Sequence, residues 1–122
     1  MSRRILAIDD SPTMRGLIAR TLGEHDFVVS LAEDGADGLE RLAEVDPHLV
    51  ITDINMPRLD GFGVIAGVRG DPAYASTPVL VLTTESSAEL KQRARRSGAT
   101  GWIVKPFDDG ALIAVIRRVL GG

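Results

Sequence analysis

Four short apolar runs in this chain end in residues that can do chemistry. Asp9 and Asp10 follow Arg4-Ile5-Leu6-Ala7-Ile8, and Asp53 follows His48-Leu49-Val50-Ile51-Thr52. Thr83 and Thr84 close Val79-Leu80-Val81-Leu82, and Lys105-Pro106 follows Gly101-Trp102-Ile103-Val104. Each residue alone is ordinary, because an acid after an apolar run is most often a helix cap or a solvated loop residue. Together they would set three carboxylates, a hydroxyl and an ammonium on one rim. Clustered carboxylates repel and raise one another's pKa. A hard cation removes that penalty, and Mg²⁺, which takes oxygen ligands and keeps several waters, suits the donor set. Two acids and a backbone carbonyl leave room for water and one substrate oxygen.

These residues share a rim only if the runs are neighbouring strands, and the sequence between them supports that. Each run is short, apolar and separated from the next by a helical pattern. Ser11-Pro12 opens the first helix with an N-cap oxygen and a proline at the first position, and Gly23 stops it. Phe27–Leu31 reads as the second strand. Asp34-Gly35 starts a second helix with Ala36, Leu39, Leu42 and Ala43 on its inner face. Asp60-Gly61 caps a third. Ser86, with Glu89 three residues on, reads as a capping box for the fourth. Asp108 or Asp109 caps the last, which ends at Leu120. Alternating strands and helices make an α/β protein with a parallel sheet. Continuous apolar strands fit a sheet covered on both faces, and right-handed crossovers favour a doubly wound topology. In such sheets ligands sit beyond the carboxyl ends of the strands, where the acids, Thr83 and Lys105 fall.

At 122 residues the chain is expected to form one domain over 1–122, with a core large enough to need no staples. It has no cysteine, which excludes disulfides and thiolate metal sites. No apolar run is long enough for a membrane span, and the N-terminus lacks a signal-peptide pattern. The expected location is cytoplasmic. The net charge of -3 is unevenly spread: residues 1–60 carry 6 Lys/Arg and 12 Asp/Glu, and residues 61–122 carry 8 and 5. An acidic first half argues against nucleic acid as a partner, and no membrane partner is expected.

Ile8-Asp9-Asp10-Ser11, Thr52-Asp53-Ile54-Asn55-Met56-Pro57 with Asp60-Gly61, Leu82-Thr83 and Lys105-Pro106-Phe107 resemble the receiver domains of two-component response regulators. The match spans the chain, and no output domain is expected after it. Within that family the sequence is most similar to single-domain CheY-type chemotaxis regulators, through Ser11–Arg15 and Gly101–Phe107. The resemblance implies a five-stranded parallel sheet of order 2-1-3-4-5 with five helices. It implies Asp53 as phosphoacceptor for a CheA-like histidine kinase. It implies Mg²⁺ held by Asp10, Asp53 and the Asn55 carbonyl, with Asp9 acting through water. Lys105, aimed by a cis Lys105-Pro106 bond, would neutralise phosphoryl oxygens, and Thr83 would donate its hydroxyl to them. Asn55 and Glu85 hold the positions that influence the hydrolytic water. The implied activity is a switch that catalyses only its own phosphorylation and dephosphorylation. Its expected output is a flagellar motor switch protein or another phosphorylation-dependent target, with a phosphate sink or phosphotransfer shuttle as the alternative. The expected state is monomeric.

Two positions depart from the family's pattern. Thr84 stands where a small residue is common, and its methyl would narrow access to Asp53. Trp102 stands where a Tyr or Phe commonly changes rotamer, and its indole N–H must find a partner. The fourth helix carries Lys91, Arg93, Arg95 and Arg96, the last carries Arg117 and Arg118, and Trp102 lies between. Aromatic plus arginine is interface composition, which makes Trp102, Lys91 and Arg95 the expected partner face. His25 and His48 look incidental. A phosphatase of the haloacid dehalogenase kind needs D-x-D, whereas Asp9 and Asp10 are adjacent. A flavin-binding protein needs a phosphate-cradling loop where this chain has those two acids.

Overall fold

The computed structural model describes residues 2–121. Five parallel strands, β1 (Arg4–Ile8), β2 (Val28–Ala32), β3 (Leu49–Thr52), β4 (Val79–Thr83) and β5 (Gly101–Val104), form one sheet of order β2-β1-β3-β4-β5. Between and after them lie α1 (Pro12–Gly23), α2 (Gly35–Glu40), α3 (Leu42–Val45), α4 (Gly61–Gly70), α5 (Ala88–Ser97) and α6 (Asp109–Val119). Successive side chains of a strand point to opposite faces, so each apolar run feeds two cores. Leu6, Ile8, Val50, Val79 and Val81 pack with Val64, Ile65 and Val68 of α4 and Ala94 of α5. Ile5, Ala7, Leu49, Ile51, Leu80 and Leu82 pack with Ile18 and Leu22 of α1 and Leu112, Ile113 and Ile116 of α6. Every residue of β3 and β4 is buried, as a sheet covered on both faces requires. The strand order reverses at β1, which pairs with β2 on one side and β3 on the other. The crevice at that reversal is where open α/β sheets hold ligands.

Capping follows local chemistry. Ser11 accepts from the Met14 N–H, Asp34 from Asp37, Asp60 from Gly63 and Asp108 from Ala111. The α5 cap corrects the sequence expectation. Ser87, extended at φ -60° and ψ 131°, accepts from the Leu90 N–H, while Ser86 lies outside the helix. With Leu90 at the third helical position, Glu89 cannot reach back as a capping box requires. The single helix expected after Asp34 is also two segments. Arg41 sits between them at φ -90° and ψ -5°, and its guanidinium reaches back to the Leu31 carbonyl of β2 at 2.6 Å. The offset turns Ala43 to solvent, and Val45 packs against the core instead. Six helical segments therefore stand where five were expected. Among the described residues no helix is long and apolar enough to cross a membrane.

Candidate functional site

Asp9 and Asp53 are the first residues beyond β1 and β3, and Asp10 follows Asp9. One carboxylate oxygen from each of the three lies within 4.8 Å of the others. Lys105, the first residue beyond β5, closes the group. Its Nζ donates to Asp9 Oδ2 at 2.7 Å and to Asp53 Oδ2 at 2.8 Å. The Lys105-Pro106 bond is cis, and the Lys105 N–H donates to the Thr83 carbonyl at 2.7 Å. The other Asp9 oxygen accepts from the Ser11 N–H at 2.9 Å, and Asp53 Oδ1 accepts from the Ile54 N–H at 2.6 Å. The Arg15 guanidinium donates to the Asp9 carbonyl at 2.7 Å.

Burial sets the electrostatics. The Asp9 side chain is 2% exposed, Lys105 8% and Asp53 12%. Burial pulls the Lys105 ammonium's pKa down, but the carboxylates of Asp53 and Asp9 outweigh it, and the pKa lies above the usual lysine value. Removing Lys105 would be destabilising by about 3–5 kcal/mol, because the buried Asp9 and Asp53 charges would be left without compensation. Three carboxylates against one ammonium leave an excess of two negative charges. Oxygen-only donors with two uncompensated charges match a hard divalent cation such as Mg²⁺. Asp10, exposed at the mouth, makes none of these internal bonds.

A second chain of contacts runs from this rim to β5. Thr83, the last residue of β4, is fully buried, and its Oγ1 accepts from the Glu85 N–H at 3.3 Å. The Glu85 carbonyl accepts from Trp102 Nε1 at 3.0 Å, and Glu85 Oε1 accepts from Asn55 Nδ2 at 2.9 Å. Trp102 is half-buried against the α4/α5 core, so its indole N–H has the partner it needs. Thr84 is exposed. Between α5 and β5 lies a groove of about 430 Å³, lined by Lys91, Arg95, Ala99 and Trp102 among others. Lys91 and Arg95 thus join Trp102. Arg93 instead stacks its guanidinium 3.7 Å above the Phe62 ring, and Arg96, Arg117 and Arg118 are exposed elsewhere. His48 Nδ1 accepts from the Arg4 N–H at 2.9 Å, and His25 Nδ1 contacts the Thr21 carbonyl. Both lie away from the rim residues.

Two features at the site were not foreseen. Arg15 steadies the backbone of the first acid, one helical turn after Ser11, a spacing that could have pointed to it. Arg58 grips Asp34 across 24 residues, for which no local pattern exists.

Comparison with known proteins fits this geometry. The model of the response regulator receiver domain matches residues 5–117. Protein PilH of Pseudomonas aeruginosa is 35% identical over 119 residues, covering 98% of this chain and 98% of that protein. The chain also matches a hybrid signal transduction histidine kinase of Dictyostelium discoideum, of whose length it spans 7%. The structure of the Vibrio cholerae chemotaxis protein CheY4 superposes with a TM-score of 0.93 at 39% identity, over 98% of this chain and 99% of that one. A receiver domain of a Pseudomonas aeruginosa sensor histidine kinase, with magnesium coordinated in its active site cleft, shares the fold. Its TM-score is 0.91 at 21% identity, with both chains fully covered. The chain belongs to the response regulator receiver domain family of two-component systems, and it is CheY-like.

Proposed function

We propose that this chain is a phosphorylation-activated switch that takes a phosphoryl group from a histidine kinase onto Asp53. The observation that carries the reading is the Lys105 ammonium held between Asp9 and Asp53 at the edge of a three-carboxylate cluster. In the transfer, the phosphorus–nitrogen bond of a phosphohistidine breaks and a phosphorus–oxygen bond to the Asp53 carboxylate forms. The released imidazole takes a proton from solvent. Transfer of this kind rests on positioning and charge more than on covalent chemistry. The Ile54 N–H and Lys105 fix both Asp53 oxygens, which orients the nucleophile. Asp10, Asp53 and the Asn55 carbonyl would hold Mg²⁺, with Asp9 reaching it through water. When bound, the ion supplies neutralisation of phosphoryl charge. Lys105 supplies a second positive charge that is already in place.

Thr83 carries the state outward. When Thr83 swings inward to donate its hydroxyl to a phosphoryl oxygen, the Glu85 N–H that it holds is drawn with it, and Trp102 follows through the Glu85 carbonyl. The groove between α5 and β5 changes shape as a result. The name of the similar chemotaxis protein CheY4 supports a chemotactic output, and the target this reading assigns is a motor switch protein. The test is phosphotransfer from a CheA-type kinase, followed by capture of motor switch protein by the beryllofluoride form. Phosphotransfer without capture would favour the phosphate-sink reading, and no phosphotransfer from any kinase of the same cell would contradict the proposal.

A further inference from the structure

The acid rim is completed by a loop, residues 54–60, that contains Asn55. Three contacts fix that loop. The Gly61 N–H donates to the Ile54 carbonyl at 2.8 Å, closing it at its base. The Gly35 N–H donates to the Leu59 carbonyl at 3.2 Å. Arg58 Nε and Nη2 donate to the two oxygens of Asp34 at 2.7 and 2.9 Å. The glycines allow the approach, since a Cβ at Gly35 would run into the Leu59 carbonyl and one at Gly61 into the Asp53 carbonyl. Neither Arg58 nor Asp34 bonds to Asp9, Asp10, Asp53 or Lys105 among the described residues.

The backbone at Arg58 is the telling feature. Its φ is +66°, a left-handed conformation in which glycine is the default. The position nonetheless carries a long side chain, and that side chain is committed to Asp34. The Asp34 carboxylate is 7% exposed and also caps α2. The fork of a guanidinium on a carboxylate fixes direction as well as distance. The hydrogen bond and charge of Arg58 hold the Asp34 carboxyl below the usual carboxylate range.

We propose that Arg58 is a positioning residue for the cation site: its two-point grip on Asp34 fixes the loop that presents the Asn55 carbonyl and orients Asp53. The proposal rests on the functional reading above. Groups that orient metal ligands commonly change metal affinity about 10–100-fold when lost.

The experiment is calorimetric titration of Mg²⁺ into wild type, Arg58→Gly, Arg58→Lys and Asp34→Asn, with thermal melts of each. Arg58→Gly removes the grip, so its Mg²⁺ affinity should fall about 10-fold, while the relieved backbone at φ +66° offsets part of the stability lost with the Asp34 pair and the melt shows that it still folds. Asp34→Asn keeps the α2 cap and should weaken Mg²⁺ similarly. Arg58→Lys keeps the charge without the fork and should fall between. Affinities within about twofold of wild type in both Arg58→Gly and Asp34→Asn would overturn the positioning role alone. A wild type that binds no Mg²⁺ would overturn the reading of the acid site, and this proposal with it.

Discussion

Trp102 Nε1 donates to the Glu85 carbonyl at 3.0 Å, and the Glu85 N–H donates to the Thr83 hydroxyl oxygen at 3.3 Å. The indole and the hydroxyl are therefore tied to the two ends of one residue. A ligand biases two conformations only through contacts made in one of them. One hydrogen bond to a charged group contributes about 1.5–3 kcal/mol, whereas moving a population from 1:99 to 99:1 needs about 5.5 kcal/mol. Thr83 therefore needs help from Lys105 and from repacking of Trp102. Trp102 is the only tryptophan, so its emission reports on this link. Mg²⁺ with beryllofluoride should shift that emission in wild type and far less in Thr83→Ala. An equal response in both would sever Thr83 from this face.

Asp10 is the rim carboxylate that Lys105 leaves free. Asp10→Ala should lower Mg²⁺ affinity about 10-fold or more, with little loss of thermal stability because the side chain is exposed. An unchanged Mg²⁺ titration would remove Asp10 from the ligand set.

Asn55 and Glu85 meet through a side-chain bond of 2.9 Å. Their polar groups can orient water for hydrolysis of an aspartyl phosphate, which predicts a short-lived phosphate. Replacing both with apolar residues of similar size should slow dephosphorylation by up to ~10²-fold, the lower end of what positioned proton-transfer groups contribute. A decay rate that does not move would assign the water to other residues.

His48 gives a pH dependence unrelated to phosphorylation. Burial, then the charges of Arg4 and Arg3, push its pKa below 6.5, against a smaller opposing pull from Asp46. The neutral ring is the folded form, since Nδ1 accepts from the Arg4 N–H. The unfolded chain thus takes the proton first. This stabilisation is complete above pH 6.5 and is lost as pH falls through the depressed folded value. Urea melts between pH 7.5 and 5 should show a steeper fall in stability for wild type than for His48→Asn. Parallel curves would refute the assignment.

The site was legible where chemistry and chain order coincide. Asp9, Asp53 and Lys105 each stand one residue past a strand, the first two buried and the third at the sheet edge, so the parallel sheet brings them together. Thr83 and Trp102 were placed by the same logic. What the sequence hid depends on contacts between distant segments. The Arg58 grip on Asp34 and the Arg41 reach to Leu31 follow no helix or strand period. The choice of Ser87 over Ser86 as a cap turned on a loop path that two adjacent serines cannot encode. The partner of the Trp102 N–H was a backbone carbonyl 17 residues away, set by how β4 and β5 pair.

On the proposed function, Asp53 is the phosphoryl acceptor. Intact-protein mass spectrometry of wild type and Asp53→Asn, each incubated with acetyl phosphate and Mg²⁺, tests it most directly. The amide keeps the side chain's shape and removes the nucleophile. Wild type should gain the mass of one phosphoryl group and lose it on standing, while Asp53→Asn gains nothing. A phosphorylated Asp53→Asn, or a wild type whose phosphate maps to another residue, would contradict the account.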